Sequence, residues 1–184
     1  YTTLFRSSSI PENTPDRPVI ALAGNPNVGK STLFNNLTIG KKQHVGNWIG
    51  KTTANAWGIC HNADKDYILV DIPGTYSLSS RSAEETVARD FICFGAHQAV
   101  VIVCDATCLE RNLNLVLQIL EATDRVLVCV NLLDEAEKKG IQIDLDQLSD
   151  LLCVPVAGTS ARKKCTLIPL LKELDDLTDS PVLS

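Results

Sequence analysis

From Pro18 onward, short apolar runs alternate with stretches in which apolar residues recur at helical spacing. "VIALAG" (19–24) is a brief run without polar interruption, the mark of a strand buried on both faces. "KSTLFNNL" opens a helix directly behind it. "ANAWGICH" and "DYILVDI" flank the turn-like "NADK" and predict a hairpin. "SAEETVARDFICF" starts with Ser82 and carries Glu85 in the spacing of a capping box, so a helix begins there. Beyond it, the strands "AVVIVCDA", "RVLVCVN" and "CVPVAG" alternate with the helices "NLNLVLQILEA", "DLDQLSDLL" and "LIPLLKEL". This alternation predicts an α/β domain with a mostly parallel six-stranded sheet and helices on both faces. The hairpin supplies one antiparallel strand at an edge. In such sheets ligands sit outside the carboxyl ends of the strands.

Residues 1–17 lack periodicity and read as a flexible leader; 18–178 form the domain and 179–184 a tail. A chain of 184 residues suits one domain with a sizeable core. A formal net charge of −5 argues against a broad nucleic-acid surface. The seven cysteines show no CxxC pair and mostly sit in apolar runs, so they are expected to be reduced and buried, as in a cytosolic protein. No apolar run approaches the ~20 residues of a membrane span. With no methionine, the chain is expected to be a piece of a longer protein.

Chemistry concentrates where strands end. Gly24 to Ser31, "GNPNVGKS", fits GxxxxGK[ST] between a strand and a helix. The glycines let the backbone approach phosphates, and the amides of Asn25, Pro26-linked Asn27, Val28, Gly29, Lys30, Ser31 and Thr32 lie where a loop and helix N-terminus form an anion nest. Lys30 is placed to reach the β- and γ-phosphates, and the Ser31 hydroxyl to ligate Mg²⁺. "NLLD" puts Asp134 where a carboxylate can accept from guanine N1–H and N2–H₂, a donor pair adenine lacks. Asn131 would brace the loop or touch guanine N7. The alternative for Asp134 alone is a helix N-cap. Ser160 and Ala161 follow the last strand, where their N–H groups can donate to guanine O6. In "DIPG", Asp71 can hold a Mg²⁺-bound water and the Gly74 N–H can meet a γ-phosphate.

With those residues in place, the chain resembles the cytosolic GTP-binding domain of the FeoB family, bacterial ferrous-iron transport proteins. The resemblance rests on "GNPNVGKSTLFNNLT", "VGNWIGKT", "DIPGTYSL", "DATCLERNLNLVLQILE" and "NLLDEAEKKGI", which span Pro18 to about Leu174. It implies a Ras-like P-loop fold and Mg²⁺-dependent hydrolysis of GTP to GDP and phosphate. It implies further helical and membrane domains as partners, at the cytoplasmic face of the bacterial inner membrane. No nucleic-acid partner is expected, and a homo-oligomer is left open. The other reading is a potassium-type GTPase acting on RNA or ribosome assembly.

The resemblance also assigns roles. The first switch covers about 40–54, with Gly50 at the nucleotide and Thr52 on Mg²⁺ and the γ-phosphate; Trp48 is an anchor or a partly exposed ring. The second switch starts at Asp71. Thr75 stands where many GTPases carry a water-orienting glutamine and is too short for that work, so slow intrinsic hydrolysis is expected. Arg81 and Arg89 are read as surface charges before arginine fingers. Asn27 stands where potassium-activated relatives hold K⁺, with "GNWIG" carbonyls completing the site; the alternative is an asparagine bracing its own turn. Lys30, Thr52, Gly74 and Asn27 are therefore the expected catalytic set. Leu132 replaces a common lysine, which implies weaker binding and fast exchange. Iron ligation by the cysteines is not expected, since no four-ligand spacing occurs. Trp57 is expected in the core, and "EAEKK" as a solvated face.

Overall fold

The computed structural model describes residues 17–38, 44–47, 54–62, 65–79 and 81–180. Its strands are β1 (Val19–Gly24), β2 (His44–Asn47), β3 (Ala54–Asn62), β4 (Lys65–Asp71), β5 (Ala99–Asp105), β6 (Val126–Asn131) and β7 (Val156–Gly158). Its helices are α1 (Lys30–Leu37), α2 (Ala83–Phe94), α3 (Leu109–Ala122), α4 (Leu133–Lys138), α5 (Leu145–Leu152) and α6 (Leu167–Asp179). The sheet order is β2-β3-β4-β1-β5-β6-β7. Strands β4, β1, β5, β6 and β7 run parallel, and β3 runs against both neighbours.

The six strands expected from the sequence are present, and β3–β4 is the expected hairpin. A seventh strand, β2, pairs outside β3, so the antiparallel strand is one position in from the edge rather than at it. "HVGN" has a glycine and no alternating apolar residues. Its strand comes from pairing with β3, not from its own pattern.

Period-two alternation sends successive residues of β1 to opposite faces. Ile20 and Leu22 pack with Leu33, Phe34 and Leu37 of α1 and with Leu167, Leu170 and Leu174 of α6. Ala21 and Ala23 face the other layer, with Phe91 of α2, Leu115 and Ile119 of α3, Ala136 of α4 and Leu148 of α5. Burying each large side chain contributes about 1.5–3 kcal/mol, and this two-sided core fixes the strand ends that carry the chemistry. Trp57 is buried in it, as expected. The N-terminus of α2 is capped by Ser82 as its sequence predicts, Ser82 Oγ accepting the Glu85 N–H at 3.1 Å, while Glu85 Oε2 accepts not the Ser82 N–H of a full capping box but the Arg81 N–H one residue earlier, at 2.9 Å.

The cysteines divide differently from the expectation. All seven are free, but only Cys60, Cys104 and Cys129 are buried; Cys93, Cys108, Cys153 and Cys165 are exposed. The buried three lie on strands, whereas the exposed four lie on helices, turns or caps, where one side meets water. Among the described residues, no helix is long and apolar enough to cross a membrane.

Candidate functional site

The loop after β1 is shaped by what surrounds it. Gly29 has φ 83°, in the left-handed region, and a Cβ there would stand 2.4 Å from Asn131 Nδ2. A Cβ on Gly24 would stand 2.6 Å from the Val103 carbonyl oxygen on β5. Both positions therefore exclude any side chain. Asn27, at φ 67°, is left-handed too, a conformation asparagine tolerates, and its side chain is exposed. Gly29 is the N-cap of α1, and no side chain caps that helix among the described residues. Its first-turn amides are thus left to an anion.

Lys30 is the charge at the floor of this loop and only 9% exposed. Its Nζ donates to the Asp71 carboxylate and to the Ile72 carbonyl oxygen at 2.8 Å. Burial pushes the Asp71 carboxyl above its ordinary value, with Lys30 pulling the other way. The chain after Asp71 follows β1 to the loop. Ile72 N–H donates to Leu22 O and Thr75 N–H to Gly24 O, each at 3.2 Å. At Gly74 a Cβ would lie 3.3 Å from Pro26 N and Cα, so this glycine is pressed against the phosphate loop. Thr75 is buried, and its hydroxyl is engaged: it donates to Ser77 O at 2.6 Å and accepts the Ser77 N–H at 3.2 Å. The segment continues to α3, where Leu78 N–H donates to Gln118 Oε1 at 2.7 Å and the Arg111 guanidinium sits 4.7 Å from the centre of the Tyr76 ring.

Asn131, at the end of β6, ties three elements together. Its Nδ2 donates to Val28 O at 3.0 Å, in the phosphate loop. Its Oδ1 accepts from Thr159 Oγ1 at 3.1 Å and from Ala161 N–H at 2.9 Å, beyond β7. Leu132 follows at φ 64° and packs over Gly29, with its Cδ2 3.9 Å from the Gly29 Cβ position. Asp134 lies in the first turn of α4, whose N-cap is Leu132, so the carboxylate is not a cap. Burial alone would raise the Asp134 carboxyl. The Ser160 hydroxyl, its own backbone, Lys163 and Lys138 outweigh that and hold it below the ordinary range. A cleft of about 270 Å³ joins these parts, lined by Asn27, Gly29, Thr32, Leu132, Asp134 and Arg162 among others.

The fold brings Asn25–Thr32, Asp71, Gly74, Asn131, Asp134, Ser160 and Ala161 to one end of the sheet. Gly50, Thr52 and Trp48 lie outside the described residues. Arg81 is exposed and Arg89 pairs with Asp90 at 2.7 Å. The Ser160 N–H donates to Thr166 Oγ1 at 3.0 Å, and the Ala161 N–H to Asn131, so both amides already have partners inside the protein. Three residues outside the predicted set build this loop. Thr159 is fully buried beside Asn131; Thr166 Oγ1 donates to Ser160 O at 3.1 Å; Asn36 Nδ2 donates to Ala161 O at 2.7 Å. "TSAR" contained the first of them; nothing local marks the other two.

The described donors beside the loop are oxygens, the Ser31 hydroxyl and the Asp71 carboxylate, which suit a hard Mg²⁺ ion.

A sequence profile described as "Ferrous iron transport protein B" matches residues 18–174. The chain is 45% identical over 156 residues to the Fe(2+) transporter FeoB of Escherichia coli (strain K12), an alignment covering 83% of this chain and 19% of that protein. The chain thus spans about a fifth of that relative's length. The G domain of the T. maritima FeoB iron transporter superposes with a TM-score of 0.82 at 38% identity, over 89% of this chain and 99% of that one. The cytosolic domain of the same transporter in its GMPPNP form gives 0.85 at 39% identity, over 89% and 64%. With the family profile covering residues 18–174 and both sequence identity and fold shared with these relatives, the chain belongs to the FeoB family and is its N-terminal G domain.

Proposed function

We propose that this domain binds and hydrolyses GTP and that its nucleotide state regulates Fe²⁺ passage through an attached membrane domain at the cytoplasmic face of the cell membrane. The observation that carries the reading is the convergence of the Lys30 loop and the Asp134 carboxylate on one cleft. The loop amides and the Lys30 ammonium hold the phosphates. Asp134 accepts from guanine and would be left without a donor by adenine. Mg²⁺, held by Ser31 and Thr52 with Asp71 acting through a water, would neutralise charge between the β- and γ-phosphates. Lys30 exchanges its Asp71 and Ile72 partners for phosphate oxygens. Thr75, committed to Ser77, does not orient water, so the attacking water is left to backbone groups of the switches and intrinsic turnover is slow.

Asn27 is exposed on the cleft wall in a left-handed conformation, which supports a role for its carboxamide toward a monovalent cation. K⁺ there would offset charge as an arginine finger does. Leu132 covers the loop only by packing, which favours quick nucleotide exchange. Phosphate release under multiple turnover tests the reading. Turnover should require Mg²⁺, rise in K⁺ over Na⁺, and lose that rise in Asn27→Ala; no turnover, or equal rates with both ions, contradicts it. Loss of Fe²⁺ uptake by the full-length Lys30→Ala protein in proteoliposomes tests the coupling.

A further inference from the structure

Asn25 is 4% exposed, and its Oδ1 has no hydrogen-bond partner among the described residues. Among the described residues, only His97 Nδ1 is likewise a buried side-chain atom without a partner, at the opposite end of the sheet in the loop before β5. A buried amide oxygen without a donor destabilises the arrangement that holds it, so any arrangement that supplies it a donor is favoured.

Position in the fold says which. Ala21 and Ala23 face the layer of α2 and α3, and Asn25 is buried just past the end of β1, two residues beyond Ala23. The residues on either side of Asn25 are the ones that Gly74 and Thr75 rest upon. Thr75 N–H donates to Gly24 O, and Gly74 is pressed on Pro26. From there the segment reaches α3 through Leu78 and Tyr76. Its donors are mostly committed: Thr75 to Gly24, Ser77 to Thr75 Oγ1, Leu78 to Gln118. The N–H groups of Gly74 and Tyr76 have no partner among the described residues.

We propose that Asn25 is a positioning residue for the second switch: its Oδ1 accepts the Tyr76 main-chain N–H in the arrangement where the Gly74 N–H meets the γ-phosphate. This rests on the reading of the chain as a GTP-binding switch. A group paired only in the triphosphate arrangement biases the equilibrium toward it, because a ligand shifts states only through differential interaction. Asn25 thus helps the protein distinguish GTP from GDP without touching the nucleotide through its side chain.

The test compares wild type with Asn25→Leu, which keeps the shape without the acceptor, and with Asn25→Ala. Calorimetric affinities for GMPPNP and GDP are measured with thermal melting in the absence of nucleotide. Loss of one hydrogen bond should weaken GMPPNP about three- to tenfold while GDP changes less than about twofold. The Asn25→Leu protein should melt no lower than wild type. In wild type, amide exchange over residues 74–78 should slow with GMPPNP and not with GDP, and the variants should lose that difference. Equal losses for both nucleotides, or an unchanged ratio, overturn the proposal while leaving nucleotide binding intact. Failure of wild type to bind either nucleotide overturns both.

Discussion

The two sides of the phosphate loop treat their polar groups differently. On the β6–β7 side, Asn131 spends its amide and both directions of its oxygen on Val28, Thr159 and Ala161, and Thr166 closes the loop that follows. On the β4 side, Lys30 is held by Asp71 and Ile72, groups a phosphate would displace, and Asn25 Oδ1 has no hydrogen-bond partner among the described residues. A fully satisfied network is rigid, since each member lost strands its partners. A half-satisfied one keeps a second arrangement within reach. On the proposed reading, the half that would read the base is built to hold one shape, and the half that would sense phosphate to hold two.

That contrast can be broken from either side. Lys30→Ala should have the largest effect, weakening GDP and GTP about a hundredfold or more by removing charge-assisted bonds to phosphate, read by calorimetry. Asp134→Ala should cost about a hundredfold in guanine preference and leave ADP binding unchanged, since only the base reader is lost. The acceptor form is the ionised carboxylate. Because the Asp134 carboxyl is depressed in the fold, it stays ionised above the ordinary carboxylate value and is lost only as pH falls through its lower one. Guanine preference should therefore be flat from about pH 8 to about pH 5. Asn131→Ala strands Thr159, Ala161 and Val28 together and should lower unfolding free energy by about 2–4 kcal/mol in denaturant titration, with nucleotide protection reduced. Smallest is Tyr67→Phe, remote from both halves. It removes the phenol that donates to Asp175 on α6 and should lower stability by about 1–2 kcal/mol with affinities unchanged.

The cysteines give a separate check on the core. With a thiol reagent, Cys93, Cys108, Cys153 and Cys165 should react in the folded protein, and Cys60, Cys104 and Cys129 only after unfolding. Burial pushes the thiols of the latter three up to about 12.

Strands buried on both faces and the capped α2 were legible because each carries its own signal: an unbroken apolar run, or Ser82 with Glu85. The phosphate loop was legible because sterics at Gly24 and Gly29 leave no other residue there. β2 was hidden because "HVGN" carries no strand pattern of its own and is a strand only through its pairing with β3. α4 was hidden because "LDEAEK" is short and polar, held by its place after β6 rather than by periodicity. Thr166 and Asn36 were invisible for the same reason: their roles exist only once α1, β7 and α6 meet. Cysteine burial was overread because an apolar neighbourhood in sequence does not tell which side of a helix faces water.

The central claim is that main-chain amides and Lys30 grip phosphate while Asp134 chooses the purine. Parallel calorimetric titrations of the unmodified domain with GDP and ADP test it most directly. The account requires clear binding of GDP and at least about a hundredfold weaker binding of ADP. Comparable affinity for the two, or heat from neither, would contradict it.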